Sequence, residues 1–294
     1  IDNNPGVILQ EQVMSALYQD HPYNITVIGK MEEVSALTPE DGLNFYRKWY
    51  TPSEAVLVVA GDVTPEDVRI MAENTYGQIE VTETEPPTRG WRPVEPLAET
   101  QLLTHSDPKV RQPNWQRWYL STSYQEDKEM AYALDVALDV LGGGRTSRLY
   151  QALVEDQKIA VSASAGAWLS LHDTAPAILS ASPSDGVSLD DLETAYMAVV
   201  ADVLENGFTE EEVERSRNSL AASSIYQRDS QQSMANTYGS TLAIGGTVED
   251  VLSYPDDIRA VTAEDAIAAL RTVLGEDRNY IEAHLLPAEE EGDQ

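Results

Sequence analysis

Several residue types are absent or scarce in this chain, and each absence removes a class of chemistry. The 294 residues contain no cysteine, which excludes disulfides, thiolate catalysis and cysteine-ligated zinc. The only histidines are His21, His105, His172 and His284, and no two of them lie within five residues of each other. The sequence therefore lacks the closely spaced histidine pair from which helical zinc motifs are built.

Basic residues are also scarce. The chain has 19 basic against 50 acidic residues, a net charge of −31. Because phosphate binding needs a basic face, the composition argues against nucleic acid as a partner. Two interpretations of the acidity stay open: a hydrated surface suited to salty surroundings, or an acidic cavity that attracts basic peptides.

Long apolar runs are missing as well. No stretch of about 18 apolar residues exists, so no membrane span is predicted. Hydrophobic content is 42%, which is ordinary for a globular protein, and the length suffices for two domains. The chain begins with Ile1 rather than methionine, and no basic-then-apolar leader follows. We expect that the natural N-terminus and any targeting signal are missing.

The hydrophobic pattern predicts helices and strands in both halves of the chain. Predicted strands, in residue numbers, are 55–61, 101–105, 114–123, 159–169, 176–183 and 279–286. Predicted helices are 6–18, 38–50, 64–77, 128–141, 146–156, 188–205 and 209–228, with two more before the last strand. The run at 55–61, AVLVVAG, is continuously apolar, which is typical of a strand buried on both faces.

An internal repeat and a proline-rich stretch divide the chain. Residues 38–60 align with 262–284 at an offset of 224, and 12–18 align with 232–238 at an offset of 220. Both 38–60 and 262–284 read as a capped helix leading into a strand, a unit common enough that chance remains an alternative. The segment 81–99 contains four prolines and reads as a linker. The predicted parts are the end of a first domain (1–80), the linker, and a complete second domain (100–294).

Short motifs in each part carry a family resemblance. In the first part they are His21-Pro22-Tyr23 and the stretch FYRKWYTP at 45–52 with the apolar run after it. In the second they are Leu141-Gly142-Gly143-Gly144, Arg148-Leu149 and the segment 153–164. Their order and spacing resemble the pitrilysin/insulinase family of zinc metallopeptidases over nearly the whole chain. The resemblance implies an α+β fold like that of LuxS and the processing peptidases. Two homologous units of mostly antiparallel sheet flanked by helices, the first incomplete here, would enclose a chamber for an extended peptide.

The resemblance also implies a zinc site that these residues do not provide. Family members bind zinc through the two histidines of H-x-x-E-H and a downstream glutamate, and the motif glutamate acts as the general base. Glu11 is the carboxylate nearest to the place of the third ligand, but it lies too late in the sequence and reads as an ordinary helix carboxylate. We expect no metal and no catalytic residue in this chain, which would start a few residues after the last ligand, and zinc in the full-length parent.

In the family an arginine and a tyrosine of the second domain reach across the chamber to the substrate and the oxyanion. The matching positions are Val154 and Val161, whose side chains cannot donate a hydrogen bond. We favour an active-type subunit whose arginine and tyrosine come from a separate homologous subunit; a degenerate paralogue is the alternative. Together with Gly142, Gly143 and Gly144, expected to form a tight loop, the two valines are the candidate substrate-chamber residues.

The sequence thus predicts part of a zinc-dependent metalloendopeptidase that hydrolyses peptides, with this chain inactive by itself. A non-catalytic partner or scaffold of a peptide-processing complex, and a peptide-binding chamber, remain alternatives. Expected partners are a peptide substrate and a homologous subunit, and the expected location is the bacterial periplasm or cell envelope rather than the cytoplasm. His21 and His172 are expected to be structural, and the tryptophans at 115, 118 and 168 to lie in the core or an interface.

Overall fold

The computed structural model describes residues 3–79 and 94–288. Within them the helices are α1 (Pro5–Tyr18), α2 (Met31–Ala36), α3 (Pro39–Trp49), α4 (Pro65–Asn74), α5 (Lys128–Gly142), α6 (Leu189–Asn206), α7 (Glu210–Gln227), α8 (Gln231–Ala243), α9 (Val248–Ala260) and α10 (Ala263–Leu274). A π-helix spans Tyr150–Asp156. The strands are β1 (Gln101–Asp107), β2 (Asn114–Leu120), β3 (Ala160–Ala167), β4 (Pro176–Pro183) and β5 (Ile281–Pro287). Among these described residues no helix is long and apolar enough to cross a bilayer.

The five strands form one mixed sheet in the order β1-β5-β2-β4-β3. Only the β1–β5 pair is parallel; β5–β2, β2–β4 and β4–β3 are antiparallel. The hydrophobic pattern of 176–183 predicts an antiparallel partner for the strand before it, and this pairing is confirmed: Ala163 pairs with Ala181 and Ala165 with Leu179. The mostly antiparallel α+β class is confirmed as well, and β1 and β3 are left as the two edge strands.

One face of the sheet is covered by α1. The helix buries Leu9, Val13 and Leu17 against a cluster that includes Trp118 and Ile281. These three leucine and valine positions recur at i, i+4 and i+8, which places them on one stripe of the helix. Each is 1% exposed or less, so α1 is an integral layer of the sheet structure.

The opposite face carries α5, α6 and α10. Trp115 points away from Trp118 because the two are three residues apart on β2. It packs against Tyr196 of α6, with ring centroids 4.9 Å apart and ring planes tilted by 53°. The Tyr196 hydroxyl donates to the carbonyl of Ser164 at 2.7 Å. Trp115 and Trp118 are buried, as expected for core tryptophans, whereas Trp168 is 37% exposed and packs edge-on against Trp118.

Side-chain caps explain where several helices begin. The sequence of Thr209 and Glu212, three residues apart, predicts a capping box for α7. The structure confirms it, because the Thr209 hydroxyl accepts from the backbone N–H of Glu212 and the Glu212 carboxylate accepts from the backbone N–H of Thr209 at 2.9 Å. Thr38 with Asp41 and Thr262 with Asp265 form the same reciprocal pair at α3 and α10. Each box satisfies backbone donors that a helix start leaves without partners.

The chain separates into two compact units. The sheet unit comprises Ile1–Thr26, Pro93–Ala221 and Asp256–Gln294, and the helical unit comprises Val27–Arg92 and Ala222–Pro255. These units differ from the predicted division at 80 and 100, since α1 packs with the sheet and α8 belongs to the helical unit. The predicted domain division itself stays a prediction. Residues 81–93, which are most of the predicted linker, lie outside the described residues together with residue 80 and the tail 289–294.

The predicted strand at 55–61 is wrong for this chain. The segment is extended at Ala55 but forms no ladder, and Val56, Leu57 and Val59 are each 47–51% exposed. An isolated apolar run cannot form a sheet by itself, because its backbone groups need neighbouring strands. The repeat is therefore confirmed for its capped helices, α3 and α10, but not for the strands that were expected to follow them.

Candidate functional site

The triple glycine joins α5 to the edge of the sheet. A Cβ at Gly142 would overlap the backbone nitrogen of Ala165 in β3, and a Cβ at Gly143 would overlap Asp139 of α5. Gly144 has a φ of +151° and open space around it. The first two positions therefore need glycine for close approach and the third for its backbone conformation. This tight loop is what the sequence predicted at 142–144.

Ser147, which sequence reasoning did not single out, closes the loop. Its hydroxyl donates to the carbonyl of Gly144 at 2.6 Å and accepts from the backbone N–H of Tyr150 at 3.4 Å. Only 3% of Ser147 is exposed. The serine thus fixes the loop and the start of the next helix with one buried side chain.

The helix after the loop is anchored to α7 by Arg148. Its guanidinium donates to both carboxylate oxygens of Glu212, one of them at 2.9 Å. Burial raises the pKa of Glu212, but hydrogen bonds from Arg148 and Thr209 outweigh it and lower the pKa to about 2. The carboxylate therefore stays charged at neutral pH, and the pair holds the loop region against α7.

Val154 lies on the π-helix Tyr150–Asp156, where the sequence predicted an ordinary helix over 146–156. Two backbone hydrogen bonds form at the C-terminal end of the π-helix. Gln157 N–H donates to the Ala152 carbonyl and Ile159 N–H donates to the Leu153 carbonyl, both at 3.0 Å. Lys158 between them has a φ of 56°. π-Helices are rare and are frequent at functional sites, and periodicity gave no signal for this one.

Val161 occupies a β-bulge. The β3–β4 register shifts between Ala160 and Ser162, so Val161 has no paired partner on β4. The alternation of side chains along 159–169 predicts that Val161 shares a face with Ala163 and Ala165, yet Val161 is 55% exposed whereas the two alanines are buried. That prediction is wrong, because the inserted residue breaks the two-residue period and turns the side chain outward.

The predicted chamber residues thus belong to one continuous piece of structure. The glycine loop packs on β3, the π-helix leads into β3 through the Lys158 turn, and the bulge sits at the start of β3. Among the described residues β3 pairs with β4 alone, which leaves the other side of its backbone without a neighbouring strand there. Ser162 and Ser164 are exposed beside that open side. An edge strand of this kind can hold an extended peptide through main-chain hydrogen bonds.

A small polar cavity of about 100 Å³ lies behind the loop, lined by Asp139, Ser147, Glu212, Arg215 and Ser216 among others. Burial raises the pKa of Asp139, although the Ser216 hydroxyl donates to it at 2.6 Å. A polar cavity of this size suits a few bridging waters. It supports the back of the loop and is too small for a peptide.

Among the described residues, the one group with ligand atoms close enough for a metal is Glu193, Glu282 and His284. Arg117 already occupies it: the guanidinium pairs with Glu193 and donates to Glu282 at 3.1 Å, and the His284 ring lies 2.9 Å from Glu282. Burial raises the pKa of Glu282, and the His284 and Arg117 hydrogen bonds outweigh this and lower it. A divalent cation would have to displace a buried guanidinium stacked 4.2 Å over the Tyr280 ring. These residues do not fit a zinc site; they form an ion network inside the sheet unit.

The histidines near the N-terminal motif have structural contacts. His21 is buried, with its ring 3.1 Å from Asp173 and the Tyr23 backbone N–H donating to its other nitrogen at 3.2 Å. The Tyr18 hydroxyl donates to the Thr174 carbonyl at 2.9 Å. The H-P-Y motif therefore ties the end of α1 to the β3–β4 connection. His172 lies 2.9 Å from the same Asp173 and is half exposed.

Comparisons with known proteins agree with this geometry. A family model described as the peptidase M16 inactive domain matches residues 36–220, more than half of the chain. An uncharacterized zinc protease of Mycobacterium tuberculosis is 27% identical over 97% of this chain, which spans only 64% of that relative. The crystal structure of a protease from Helicobacter pylori superposes with a TM-score of 0.87 at 20% identity, over 97% of this chain and 68% of that one. The periplasmic protease PqqL from Escherichia coli gives 0.72 at 19% identity, over 98% of this chain and 31% of that one. At these identities the two structures speak for the fold alone.

Proposed function

Because the chain belongs to the family of peptidase M16 inactive domains, we propose that it is the non-catalytic, peptide-holding part of a zinc-dependent peptidase. Relatives that carry the name zinc protease extend well beyond the part that this chain matches. The one candidate ligand cluster among the described residues does not fit zinc, so we assign hydrolysis to the parent protein and peptide binding to this chain.

The open edge of β3 is the observation that carries the proposal. Three irregular features meet there: a glycine loop that only glycine fits, a π-helix and a β-bulge. Each costs stability relative to regular structure, and such costs concentrate at functional sites. An extended peptide would add to β3 as a further strand, with Val161 and the exposed serines beside it.

The two valines support a division of labour between subunits. Val154 and Val161 cannot stabilise an oxyanion, since neither side chain donates a hydrogen bond. A homologous subunit would supply the arginine and tyrosine, and the periplasm or cell envelope would be the location, as for the E. coli neighbour named a periplasmic protease. In this arrangement this chain positions the peptide, and the partner subunit supplies the hydrogen-bond donors for the oxyanion.

Peptide binding can be tested with the chain as it is. Two fluorescent peptides of equal length, one basic and one acidic, would be titrated and followed by anisotropy. Val161→Lys keeps the fold, because the side chain is 55% exposed. The substitution should lower the affinity for the basic peptide and raise the affinity for the acidic peptide, each by about fivefold. Leu102→Lys, an exposed position on the opposite edge strand β1, is the matched control and should change neither affinity.

The outcomes separate the candidates clearly. Binding that responds to Val161→Lys but not to Leu102→Lys supports the proposal. Absence of binding, or an equal response to both variants, would leave the chain as a scaffold without a peptide site. Peptide hydrolysis by this chain alone in the presence of zinc would overturn the non-catalytic assignment.

The proposed division of roles between two subunits has to be tested with the full-length parent protein. That protein should cleave peptides weakly alone and well when its homologue is added. Val154→Arg with Val161→Tyr should recover part of the rate, since one oxyanion donor is worth roughly 10² to 10³ in rate. Strong activity that neither the homologue nor the double substitution changes would contradict it.

A further inference from the structure

The sheet face that carries α1 is covered over part of its width. α1 packs on β1, β5 and β2, and Trp118 of β2 lies in the cluster that this helix buries. Trp118 pairs with Ile178 of β4, which pairs with Gly166 of β3, so these three residues share a face. A Cβ on Gly166 would have open space around it among the described residues. The face is therefore open where it reaches β3.

Six polar side chains occupy the open part of this face, on three neighbouring strands. They form two cross-strand rows, with Ser164, Ser180 and Gln116 in one and Ser162, Ser182 and Asn114 in the other. The two serines of β3 are exposed, and the other four residues are partly exposed. We call these six residues the serine shelf. None of them carries a charge, so the shelf can act only through hydrogen bonds and contact.

The two amides of the serine shelf are satisfied within it. Trp118 Nε1 donates to Gln116 Oε1 at 2.7 Å, and Gln116 Nε2 donates to Asn114 Oδ1 at 2.6 Å. Asn114 Nδ2 in turn donates to the hydroxyl oxygens of Ser180 and Ser182 at 3.1 and 3.2 Å. Ser180 donates back to Asn114 Oδ1 only over 3.5 Å, which makes a weak bond. Because both hydroxyl oxygens accept, their hydrogens can turn toward the open face.

The two serines of β3 have unused hydrogen-bonding capacity. Among the described residues, neither the Ser162 nor the Ser164 hydroxyl makes a hydrogen bond, and the contact of Ser164 with Tyr196 uses the backbone carbonyl. Each hydroxyl can donate once and accept twice. The shelf thus offers donors and acceptors side by side without a charge. A carboxamide side chain complements this pattern, because its oxygen accepts and its NH₂ group donates.

We propose that the serine shelf selects glutamine side chains at every second position of a peptide bound along β3. The inference rests on the proposed function, since the peptide must pair with β3 as a further strand. Residues opposite each other on neighbouring strands share a face and lie about 5 Å apart. Every second peptide side chain would therefore lie beside Ser162 or Ser164, within reach of a carboxamide. A leucine there would cover the hydroxyls without bonding them, and burying an unpaired polar group weakens binding.

The experiment uses the whole chain and two fluorescent peptides of equal length with the same charged ends. One carries glutamine at every second position and the other leucine, with alanine between. Anisotropy titrations should give an affinity about fivefold higher for the glutamine peptide. Ser162→Ala with Ser164→Ala should remove this preference by lowering the affinity for the glutamine peptide alone.

Two further variants serve as controls. Ser162→Thr with Ser164→Thr keeps the hydroxyls on side chains that suit a strand, so the glutamine preference should remain. Ser106→Ala removes an exposed serine from the opposite edge strand β1 and should change neither affinity.

The outcomes distinguish the serine shelf from the proposed function. A glutamine preference that requires the hydroxyls of Ser162 and Ser164 supports the shelf. Equal affinities, tighter binding of the leucine peptide, or a preference that survives the double alanine substitution would overturn the shelf and leave peptide binding by β3 intact. A preference lost equally in Ser106→Ala would also overturn it. If neither peptide binds, the shelf and the proposed function both fail.

Discussion

Lys158 holds the turn between the π-helix and β3 in a backbone conformation that side chains rarely adopt. Its φ of 56° costs a residue with a Cβ roughly 1–2 kcal/mol. Lys158→Gly removes that conformational cost, but glycine loses more backbone entropy on folding, which cancels part of the gain. The free energy of unfolding should therefore rise by about 0.5–1 kcal/mol. Chemical denaturation of the sheet unit would measure it. Gln157→Gly, at a helical φ of −78°, is the control and should destabilise; equal effects of both would contradict the strain.

Glu212 makes stability depend on acid pH. Its folded pKa of about 2 lies below the ordinary 4.5, so its contribution is complete above pH 4.5 and is lost as pH falls toward 2. Glu212→Gln should remove about 1 kcal/mol at neutral pH, after allowance for solvent screening, and the difference from wild type should vanish near pH 2. The exposed neighbour Glu211→Gln is the matched control for unfolding measured across this range. A difference that grows on acidification would contradict the assignment.

At this scale the sequence predicted some residues well and missed others. The glycines at 142–144 were predicted because a triple glycine before a helix has few uses other than close approach. The roles of Ser147 and Lys158 and the ion pair of Arg148 with Glu212 were missed, since a buried hydroxyl, a left-handed lysine and a cross-helix ion pair depend on tertiary neighbours that no local pattern reveals.

The capping boxes of α3 and α10 allow one element to be compared with its repeat. Each threonine hydroxyl lies 2.6 Å from the aspartate three residues later. Thr262→Ala should cost the sheet unit about 1 kcal/mol, because α10 is buried on α5, and hydrogen exchange of β2 and β5 should report it. Thr38→Ala removes the same bonds from α3, which belongs to the helical unit, and should leave that exchange unchanged. If the two substitutions changed hydrogen exchange in β2 and β5 equally, the two units would not unfold separately.

Elements with strong local signals were predicted closely, and those that depend on partners were not. The strand at 176–183 and the helix at 128–141 match β4 and α5 to within a residue, because alternation and an amphipathic stripe are local. The strand at 55–61 failed for the opposite reason: its apolar run is a true strand signal, but no strand pairs with it among the residues that the structure describes. The bulge at Val161 and the π-helix could not be predicted from the sequence, because one inserted residue does not change the local composition.

The whole molecule carries a net charge of −31, and the repulsion within it opposes folding. Raising NaCl from low concentration to 1 M shortens the screening length to about 3 Å, so the melting temperature should rise by several degrees. Sucrose at matched osmolality contains no ions and should produce a smaller rise. A melting temperature that stays flat or falls with NaCl would indicate that the acidic residues are already compensated.

We propose that β3 holds an extended peptide without a metal. Amide hydrogen exchange with and without a saturating peptide, in the presence of a strong chelator, tests it most directly. We predict slowed exchange in β3 at 160–167, unchanged by the chelator, and no change in the opposite edge strand β1 at 101–107. Protection that appears equally in both edge strands, or that disappears when the metal is removed, would show that β3 does not hold the peptide independently of a metal.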